Sequence, residues 1–511
     1  MPPLARLLLL SLLSCFITAP TLRAQDIPPF TPGDEQTTFT NAQHVARLIL
    51  STLREECAIP GMSAAVNVQG QTVWQEGFGY ANIEQRSPAT PHTRFRLASI
   101  SKALTGVAVA SLAHDNTIDL DQPIEQLIPE CPPQWHTITI RQLMGHTAGI
   151  RNYKPEERDD LNPQQRDTTD QALGMIRTDP LVHPPGELFT YTTLGYIIVR
   201  AAIEQATDKP FMQVIQERVL NPASMLHTSA DRHAGIIPNR ASLYHFIDGS
   251  NGISDATLIN APHTNLSYKP AGGGMIATAA DLTNLGHALA ANTILAPSAR
   301  QELWKHTLSN AGERYDYGLG WGLATDTQNQ FYAVQIGGQI GAGSALVIYP
   351  QDDVSAAILT NRAAGPIARS EAIPIARLFR AANQGQPIAF PTNWPQGFFD
   401  LTVTDQHQRE YVGRMQLATR RGLPTGEILL QATDNQELRR FRIATAINDF
   451  RRENQIRIYA IHQDWGLFPF VIQFDEHTGS LKGRLDRQTE RWQVQGNRAL
   501  APKPEAAGDS Q

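Results

Sequence analysis

The fold is decided by the stretch Arg96-Leu97-Ala98-Ser99-Ile100-Ser101-Lys102-Ala103-Leu104-Thr105. It holds a Ser-x-x-Lys pair, Ser99 and Lys102, at the start of an amphipathic helix. Residues three apart share a helix face, so the Lys102 amine can reach the Ser99 hydroxyl. A serine becomes a nucleophile when a neighbouring base takes its proton, and the helix N-terminus offers N–H groups to a developing oxyanion. The stretch therefore predicts nucleophilic catalysis, and the alternative is a capped helix with a solvated lysine.

Length, composition and charge bound the class of protein. At 511 residues the chain is long enough for two or three domains. Its 41% hydrophobic and 18% charged residues are typical of a globular protein with a large core. A net charge of −6 gives no electrostatic reason for binding nucleic acid or an anionic membrane. We expect a small-molecule or peptide substrate and no nucleic-acid partner.

The N-terminus has the pattern of a secretory signal peptide over residues 1–24. An apolar run from Leu7 to Pro20 follows a short basic region, and Ala24 precedes the expected cut. The pattern predicts a periplasmic or secreted protein without membrane contact beyond the cleaved segment. The alternative is lipid anchoring at Cys15, which follows a faint lipoprotein box.

Metal and cofactor sites have no sequence signal. After cleavage, Cys57 and Cys131 are the cysteines that remain, and both a disulfide and two buried thiols stay open. Their separation is not that of zinc ligands, and no His, Asp or Glu grouping has ligand spacing. No glycine-rich loop links a strand to a helix as a nucleotide site requires. We expect neither a metal nor an organic cofactor.

Strand patterns at both ends of residues 25–382 enclose a mainly helical middle. A hairpin is predicted for Gly61–Val68 and Thr72–Tyr80, and helices dominate Asn116–Ala291. The further predicted elements are a helix at Asn41–Glu55, strands at Gly318–Leu323, Tyr332–Ile336, Ser344–Tyr349 and Val354–Thr360, and a final helix at Ile367–Ala381. This order predicts an α+β fold in which one antiparallel sheet, flanked by helices, is built from both ends around a helical insert.

The last quarter of the chain changes its periodicity. A polar linker over 383–390 precedes residues 391–501, where apolar residues recur with period two. We expect a separate all-β sandwich or barrel there, and a disordered tail over 502–511.

Four further motifs follow the Ser99 stretch in a recognisable order. Together the five stretches resemble the serine β-lactamase and penicillin-binding-protein superfamily, in its class C-like branch, over residues 38–382. The motifs are Gln142-Leu143-Met144-Gly145-His146-Thr147-Ala148-Gly149, Pro185-Gly186-Glu187-Leu188-Phe189-Thr190-Tyr191-Thr192-Thr193, Ala271-Gly272-Gly273-Gly274-Met275 and Gln335-Ile336-Gly337-Gly338.

The resemblance implies roles for individual residues. Ser99 would be the acylated nucleophile, and Lys102 would hold its hydroxyl and help to remove its proton. Tyr191 would relay that proton, for which the Lys102 charge is expected to depress the phenol pKa. The backbone N–H groups of Ser99 and Gly338 would form the oxyanion hole, with Gly337 allowing the strand to pass close to the substrate.

Two motifs depart from the family pattern at expected substrate-binding positions. Thr193 stands where the family's Tyr-x-Asn motif has asparagine. Gln335 and Ile336 replace the cation and the hydroxyl that hold a substrate carboxylate. These departures weigh against recognition of penicillins, or of peptides with a free terminal carboxylate, without removing it as an alternative. His146 and Asp281 are assigned structural roles.

These features predict an exported serine hydrolase acting on an ester or amide through an acyl-enzyme on Ser99. A second reading is a D-alanine carboxypeptidase or weak β-lactamase. A third is a binding protein that has kept the fold and lost turnover because of Gln335 and Ile336.

Overall fold

The computed structural model describes most of the chain. The described residues are 39–154, 157, 163–247, 257–262, 264–326, 328–362, 367–392, 394–420, 422–435, 437–448, 455–462, 466–475, 477–485 and 492–499. The predicted signal peptide, Cys15 and the predicted tail lie outside these residues.

Two compact units divide the chain. One holds residues 39–387 with 462–467, and the other holds the described residues of 388–461 and 468–511. The domain boundaries given by the sequence patterns stay predictions.

The first unit is mixed α+β. Its α-helices within the described residues are α1 (Thr40–Glu56), α2 (Ile100–His114), α3 (Ile140–Met144), α4 (Thr169–Leu173), α5 (Gly195–Thr207), α6 (Phe211–Ile215), α7 (Ala279–Ala290), α8 (Pro297–Leu303) and α9 (Ile367–Asn383). Its strands are β1 (Gly61–Val68), β2 (Gln71–Asn82), β3 (Ser87–Pro88), β4 (Phe95–Arg96), β5 (Ser229–Ala230), β6 (Tyr244–Ile247), β7 (Thr257–Asn260), β8 (Met275–Ala277), β9 (Thr307–Leu308), β10 (Arg314–Tyr315), β11 (Gly322–Thr325), β12 (Phe331–Gln339), β13 (Ala342–Tyr349) and β14 (Val354–Thr360).

A seven-stranded sheet joins the two ends of this unit. Its order is β11-β12-β13-β14-β1-β2-β3, and β1 and β14 pair antiparallel with Met62 opposite Thr360. The backbone N–H of Gly61 also donates to Oδ1 of Asn361 at 2.7 Å. β1, β13 and β14 are buried along their whole length, because α7 and α9 pack on them. The predicted sheet built from both ends of the chain is confirmed.

Helix α2 lies at the centre of the unit, between the sheet and the helical insert. It contacts β12 and β13 as well as α6 and α8. Twelve of its residues are buried, so the amphipathic pattern expected from the sequence is wrong for most of the helix. The reason is tertiary: neighbours cover every face, and small residues such as Gly106 let them approach. A Cβ added there would lie 1.9 Å from the carbonyl oxygen of Leu319.

The strand predicted at Gly318–Leu323 begins later in the structure. Gly318 donates its N–H to the Trp321 carbonyl at 2.7 Å, and Gly320 has φ +82°, so a tight turn precedes β11. A side chain at Gly320 would strike the Lys102 carbonyl at 2.4 Å. Gly320 therefore allows close packing against α2, and Gly318 allows close packing against the end of α8, where a Cβ would lie 2.5 Å from the Leu303 carbonyl oxygen.

The second unit contains most of a closed eight-stranded β-barrel. Its strands are β15 (Gly397–Thr404), β16 (Glu410–Arg420), β17 (Leu423–Ala432), β18 (Leu438–Asn448), β19 (Ile456–His462), β20 (Gly466–Asp475), β21 (Ser480–Leu485) and β22 (Gln493–Ala499). Apolar side chains such as Leu401, Ile428 and Phe470 point inward and leave a space of about 10 Å³. That is about one water-sized probe, so side chains fill the barrel core. The predicted β module is confirmed as a barrel.

Helix length and hydropathy were checked along the described residues. None of the helices found there combines the length and the apolar character needed to cross a bilayer. Cys57 and Cys131 are both buried and are not joined by a disulfide.

Candidate active site

Ser99 is the N-cap residue of α2, held in place by backbone contacts on both sides. Leu97 donates its N–H to the Met275 carbonyl at 2.8 Å and accepts from the Ser344 hydroxyl at 2.7 Å. Ala98 has φ +45°, so the chain turns sharply just before the nucleophile. The result is a partly exposed serine at a helix N-terminus, where backbone N–H groups lack intrahelical acceptors.

Lys102 is completely buried beneath Ser99, with 0% of its surface exposed. Its Nζ lies 3.2 Å from Ser99 Oγ, 3.1 Å from Thr193 Oγ1 and 2.7 Å from the Gly272 carbonyl oxygen. The three contacts suit the three hydrogens of an ammonium and equally the two hydrogens and the lone pair of a neutral amine. The structure thus joins three distant sequence motifs at one amine.

Thr193 contributes its hydroxyl to Lys102 and is 8% exposed. Its backbone N–H donates to Oδ1 of Asn152 at 3.2 Å. Asn152 is exposed, and this bond leaves its amide NH₂ group as the donor at the surface. Thr193 thus contacts the lysine, and an amide group from another loop lies beside it, while the substrate-binding role expected at Thr193 stays a prediction.

Tyr191 lies close to both catalytic candidates. Its ring centroid is 4.9 Å from Lys102 Nζ. The residue is 37% exposed, but its phenol end is packed, and burial raises the pKa of Tyr191 above its ordinary value. Hydrogen bonding with Ser99, Gln335 and Tyr317 acts in the opposite direction and is outweighed. The expectation that Lys102 depresses this pKa is wrong, and the resting side chain is a neutral phenol.

His146 fixes the segment that carries Tyr191. Its carbonyl accepts the N–H of Thr190 at 2.8 Å, and its Nδ1 accepts the N–H of Thr192 at 3.2 Å. Its ring centroid lies 4.3 Å from that of Tyr191. The structural role assigned to His146 is therefore to position Tyr191, because His146 binds the residues before and after it.

Tyr317 closes the site from the turn before β11. Its hydroxyl accepts Nε2 of Gln335 at 3.1 Å, and its ring lies 4.9 Å from that of His146. Burial raises the pKa of Tyr317 well above the ordinary tyrosine value. It is a neutral hydrogen-bonding group that holds β12 next to the nucleophile.

Gln335 occupies the position expected for a carboxylate-binding cation. It is 5% exposed, and its Nε2 donates to the Ser99 carbonyl at 3.1 Å as well as to Tyr317. Both amide hydrogens are thereby used within the protein. Ile336, the next residue, is half-buried and brings no polar atom. Gln335 thus joins β12 to the start of α2, and the substrate-binding roles expected at Gln335 and Ile336 stay predictions.

Gly337 and Gly338 face different surroundings on β12. A Cβ on Gly337 would lie 2.2 Å from the Leu97 carbonyl and 2.3 Å from Ser344 Oγ. Gly338 is exposed, and nothing lies within 4 Å of its Cβ position. Gly337 thus allows close approach of β12 to the Leu97 backbone, Gly338 borders open space, and the expected approach of Gly337 to a substrate stays a prediction.

Sequence reasoning did not single out several residues of this site. Asn152 follows the Thr-Ala-Gly motif, and Tyr317 precedes a Gly-x-Gly-Trp run. Both positions border motifs, which is a usable signal, but their partners are set by tertiary contacts.

Asp281, assigned a structural role, accepts the His227 N–H and the Thr228 hydroxyl, each at 2.7 Å. In the described part of the chain, no cluster of His, Cys, Asp and Glu has the form of a metal site.

The first prediction compares the two glycines. Gly337→Ala should lower the free energy of unfolding by about 1–3 kcal/mol, because overpacking forces β12 away from Leu97. Gly338→Ala should unfold at the wild-type temperature, because its side chain enters open space. Thermal unfolding of both variants tests this, and equal midpoints would contradict the packing described at Gly337.

The second prediction concerns pH. Burial, with the neighbouring Lys102, holds the pKa of His146 well below its usual value of 6.5. Below pH 6.5 the unfolded chain binds a proton that native His146 does not, so stability present above pH 6.5 is lost as pH falls. His146→Asn tolerates the residue's φ of +63° and keeps an acceptor for Thr192.

Urea unfolding between pH 7.5 and about pH 5 provides the measurement. The wild type should lose stability more steeply than His146→Asn, by up to about 1.4 kcal/mol per pH unit for one proton. Parallel curves would mean that native His146 binds a proton like the unfolded chain.

The comparisons with known proteins agree with this geometry. A family model described as Beta-lactamase matches residues 46–379. The Homo sapiens protein "Serine beta-lactamase-like protein LACTB, mitochondrial" is 27% identical over 406 residues, which cover 61% of this chain and 73% of the relative.

Two solved structures share the fold. The D-amino acid amidase from Ochrobactrum anthropi SV3 superposes with a TM-score of 0.57 at 20% identity, over 68% of this chain and all of that one. The octameric penicillin-binding protein homologue from Pyrococcus abyssi gives 0.56 at 18% identity, over 88% of this chain and 99% of that one.

The family match covers most of the chain and includes Ser99, Lys102, Tyr191 and Gly338. The superfamily resemblance and the α+β fold that the sequence motifs indicated are confirmed. The chain belongs to the beta-lactamase family of serine hydrolases.

Proposed function

We propose that this protein is an exported serine hydrolase that cleaves an ester or amide through an acyl-enzyme on Ser99. The observation that carries the proposal is the contact of the fully buried Lys102 amine with Ser99 Oγ at 3.2 Å. Export rests on the predicted signal peptide over residues 1–24. The mechanism draws on side chains and backbone groups of this chain alone.

Acylation begins with the Ser99 hydroxyl. A neutral Lys102 amine can donate to the Gly272 carbonyl and Thr193 Oγ1 and still accept the Ser99 proton. Ser99 Oγ then bonds to the acyl carbon, and the carbonyl π electrons move to its oxygen. The backbone N–H groups of Ser99 and Gly338 hold that oxyanion.

Collapse of the intermediate needs an acid on the leaving-group side. Tyr191 is suited to this role because its raised pKa keeps the phenol protonated. The bond between the acyl carbon and the leaving group breaks, Tyr191 gives its proton to the leaving atom, and Lys102 returns a proton to Tyr191. Water then attacks the acyl carbon, its proton passes to the same pair, and Ser99 leaves protonated.

On the leaving-group side of the cleft, the cationic side chain beside Tyr191 is Lys102, which is fully buried and bonded to protein groups. Tyr191 and Gln335 face each other there, and both Gln335 amide hydrogens are already bonded to protein groups. A leaving group with a carboxylate would lose water without gaining a charge-assisted partner. We therefore propose that the leaving group is neutral, unlike the free terminal carboxylate of a D-alanine peptide.

The third prediction tests the nucleophile. A fluorophosphonate probe should label the wild type, and Ser99→Ala should abolish both labelling and ester turnover. Ser101→Ala is the matched control, since Ser101 Oγ accepts the Met275 N–H and lies inside the protein. Labelling that persists in Ser99→Ala, or that maps to Ser101 by peptide mass analysis, would overturn the assignment.

The fourth prediction tests the leaving group. Wild type should hydrolyse a neutral aryl acetate, such as para-(methoxycarbonyl)phenyl acetate, in preference to para-carboxyphenyl acetate. The double variant Gln335→Lys, Ile336→Thr should shift the ratio of kcat/KM toward the carboxylate by about ten- to a hundredfold, as expected for a charge-assisted hydrogen bond. A tenfold wild-type preference for the carboxylate would contradict the neutral site.

A further inference from the structure

A cavity of about 470 Å³ lies in the first unit, beside α5. Its lining comes from the loop before α4, from α5 and α6, from β5 with the turn after it, and from the loop before β8. Ser99, Lys102, Tyr191 and Thr193 are not part of this lining. The volume falls within the range of known small-molecule sites, so a compact ligand fits.

Arg200 lines this cavity from α5, and its side chain is 12% exposed. Its Nε donates to Oε1 of Glu204 at 3.1 Å, and its Nη1 donates to the Ser267 carbonyl at 3.3 Å. A guanidinium has five N–H donors, and the two on Arg200 Nη2 have no acceptor among the described residues. Unsatisfied donors on a nearly buried side chain favour a ligand that accepts hydrogen bonds.

Arg232 lines the same cavity from the turn after β5. It is exposed, and its guanidinium has neither a hydrogen bond nor an ion pair within the described chain. Its backbone is held in place, because its N–H donates to the Ala230 carbonyl and its own carbonyl accepts the Gly235 N–H, both at 3.1 Å. Arg166 also lines the cavity but has a partner, Oε1 of Gln164 at 2.8 Å. Arg200 and Arg232 therefore supply the available donors.

Positive charge exceeds negative charge around the cavity. Asp231 lies in the lining and is buried, but it binds Nε of Arg96 at 2.6 Å and is also paired with Arg240. Asp167 is an exposed carboxylate of the lining, and Glu204 is the partner of the α5 arginine. Three arginines of the lining and the two that pair with Asp231 thus face three carboxylates. The local field favours an anionic ligand.

Apolar side chains form another part of the lining. Met212 comes from α6, Ala230 from β5, and Leu266 and Pro270 from the loop before β8. Leu266 and Pro270 are buried, and Met212 is half-buried. A methionine side chain adapts to groups of different shape. A ligand with an apolar body and an anionic head would use both parts of the lining.

We infer that this cavity binds a small organic anion. Its carboxylate or phosphoryl head would meet Arg200 and Arg232, and its apolar part would meet Met212 and Leu266. Guanidinium groups suit such heads because their N–H donors match the spacing of the oxygens. The inference goes beyond the proposed function and does not depend on it, since a protein without the Ser99 hydroxyl can still bind the anion.

The cavity and the candidate active site share the loop before β8. Ser267 and Gly274 line the cavity, and the Gly274 carbonyl accepts the Asp231 N–H at 2.8 Å. Two residues earlier, the Gly272 carbonyl accepts a hydrogen bond from Lys102 at 2.7 Å. A ligand in the cavity would stabilise the loop that carries this acceptor. Binding should therefore raise the unfolding temperature of the protein.

The fifth prediction uses three probes that share one ring, namely phenylphosphonate, benzoate and the neutral benzamide. In calorimetric titrations of Ser99→Ala, both anions should bind at least tenfold more tightly than benzamide, and either anion should raise the thermal unfolding midpoint. The tighter anion identifies the head group. Inorganic phosphate lacks the ring and should bind about tenfold more weakly than phenylphosphonate, because it leaves Met212 and Leu266 uncovered.

Arginine variants locate the binding site. Arg200→Met should weaken phenylphosphonate binding by about ten- to a hundredfold, and Arg200→Lys should retain part of the affinity. Arg200→Met also removes the bond to Glu204, whereas Arg232→Glu reverses the charge of an exposed side chain without described partners. Arg232→Glu should weaken binding at least tenfold with an unchanged unfolding midpoint in the absence of ligand. Arg86→Ala is the matched control, because Arg86 is exposed and outside the lining, and it should keep the wild-type affinity.

Several results would overturn the inference. Benzamide that binds as tightly as benzoate would show that charge plays no part, and phosphate that binds as tightly as phenylphosphonate would show that the apolar lining plays none. Anion binding that is absent, or that Arg200→Met and Arg232→Glu both leave unchanged, would exclude this cavity as the site.

Two measurements on the wild type separate the cavity from the catalytic cleft. Competitive inhibition of ester turnover by phenylphosphonate, with the same inhibition constant in Arg232→Glu, would place the probe at Ser99 and overturn the inference. A wild type that binds the anions through Arg200 and Arg232 but does not react with the fluorophosphonate would support the cavity site and overturn the proposed function.

Discussion

The contact of one buried amine with three separate chain segments is the constraint on which the site depends. Lys102 meets Ser99 on its own helix, Thr193 from the loop before α5, and Gly272 from the segment before β8. A lysine head group that leaves water must find a partner for each of its hydrogens, or folding loses several kcal/mol. The site and the core of this unit are therefore stabilised by the same hydrogen bonds. A change that displaces one of the three segments also removes a partner of Lys102.

The second constraint is steric and acts on β12. The strand can approach Leu97 only because Gly337 lacks a side chain, and Gln335 then ties the strand to Ser99 and Tyr317. At the position expected for a substrate-binding cation, the protein thus has a neutral side chain that joins the strand to the start of α2.

Much of the fold and part of the candidate site could be predicted from local sequence patterns. The rest of the site depends on contacts between residues far apart in the chain. The Ser99 helix start and the hairpin of β1 and β2 follow from spacing within about twenty residues. The Lys102–Gly272 hydrogen bond joins residues that are 170 positions apart, and no sequence periodicity predicts it. The pKa of Tyr191 was expected to fall beside Lys102, but the depth of burial that decides its direction is a tertiary property. Asn152 and Tyr317 stand next to predicted motifs, yet their roles depend on which loop they meet.

The order of strands in the sheet has a consequence for the synthesis of the protein. β1 leaves the ribosome early, but its partner β14 and the Asn361 side chain that binds Gly61 come 300 residues later. Closing so long a loop is slow, because the chain loses conformational entropy before the stabilising contacts between the strands form. Until β12, β13 and β14 are made, the apolar faces of β1 and α2 lack these strands as cover and are exposed to aggregation. The nascent chain therefore carries Ser99 and Lys102 for much of its translation without the sheet against which the site assembles.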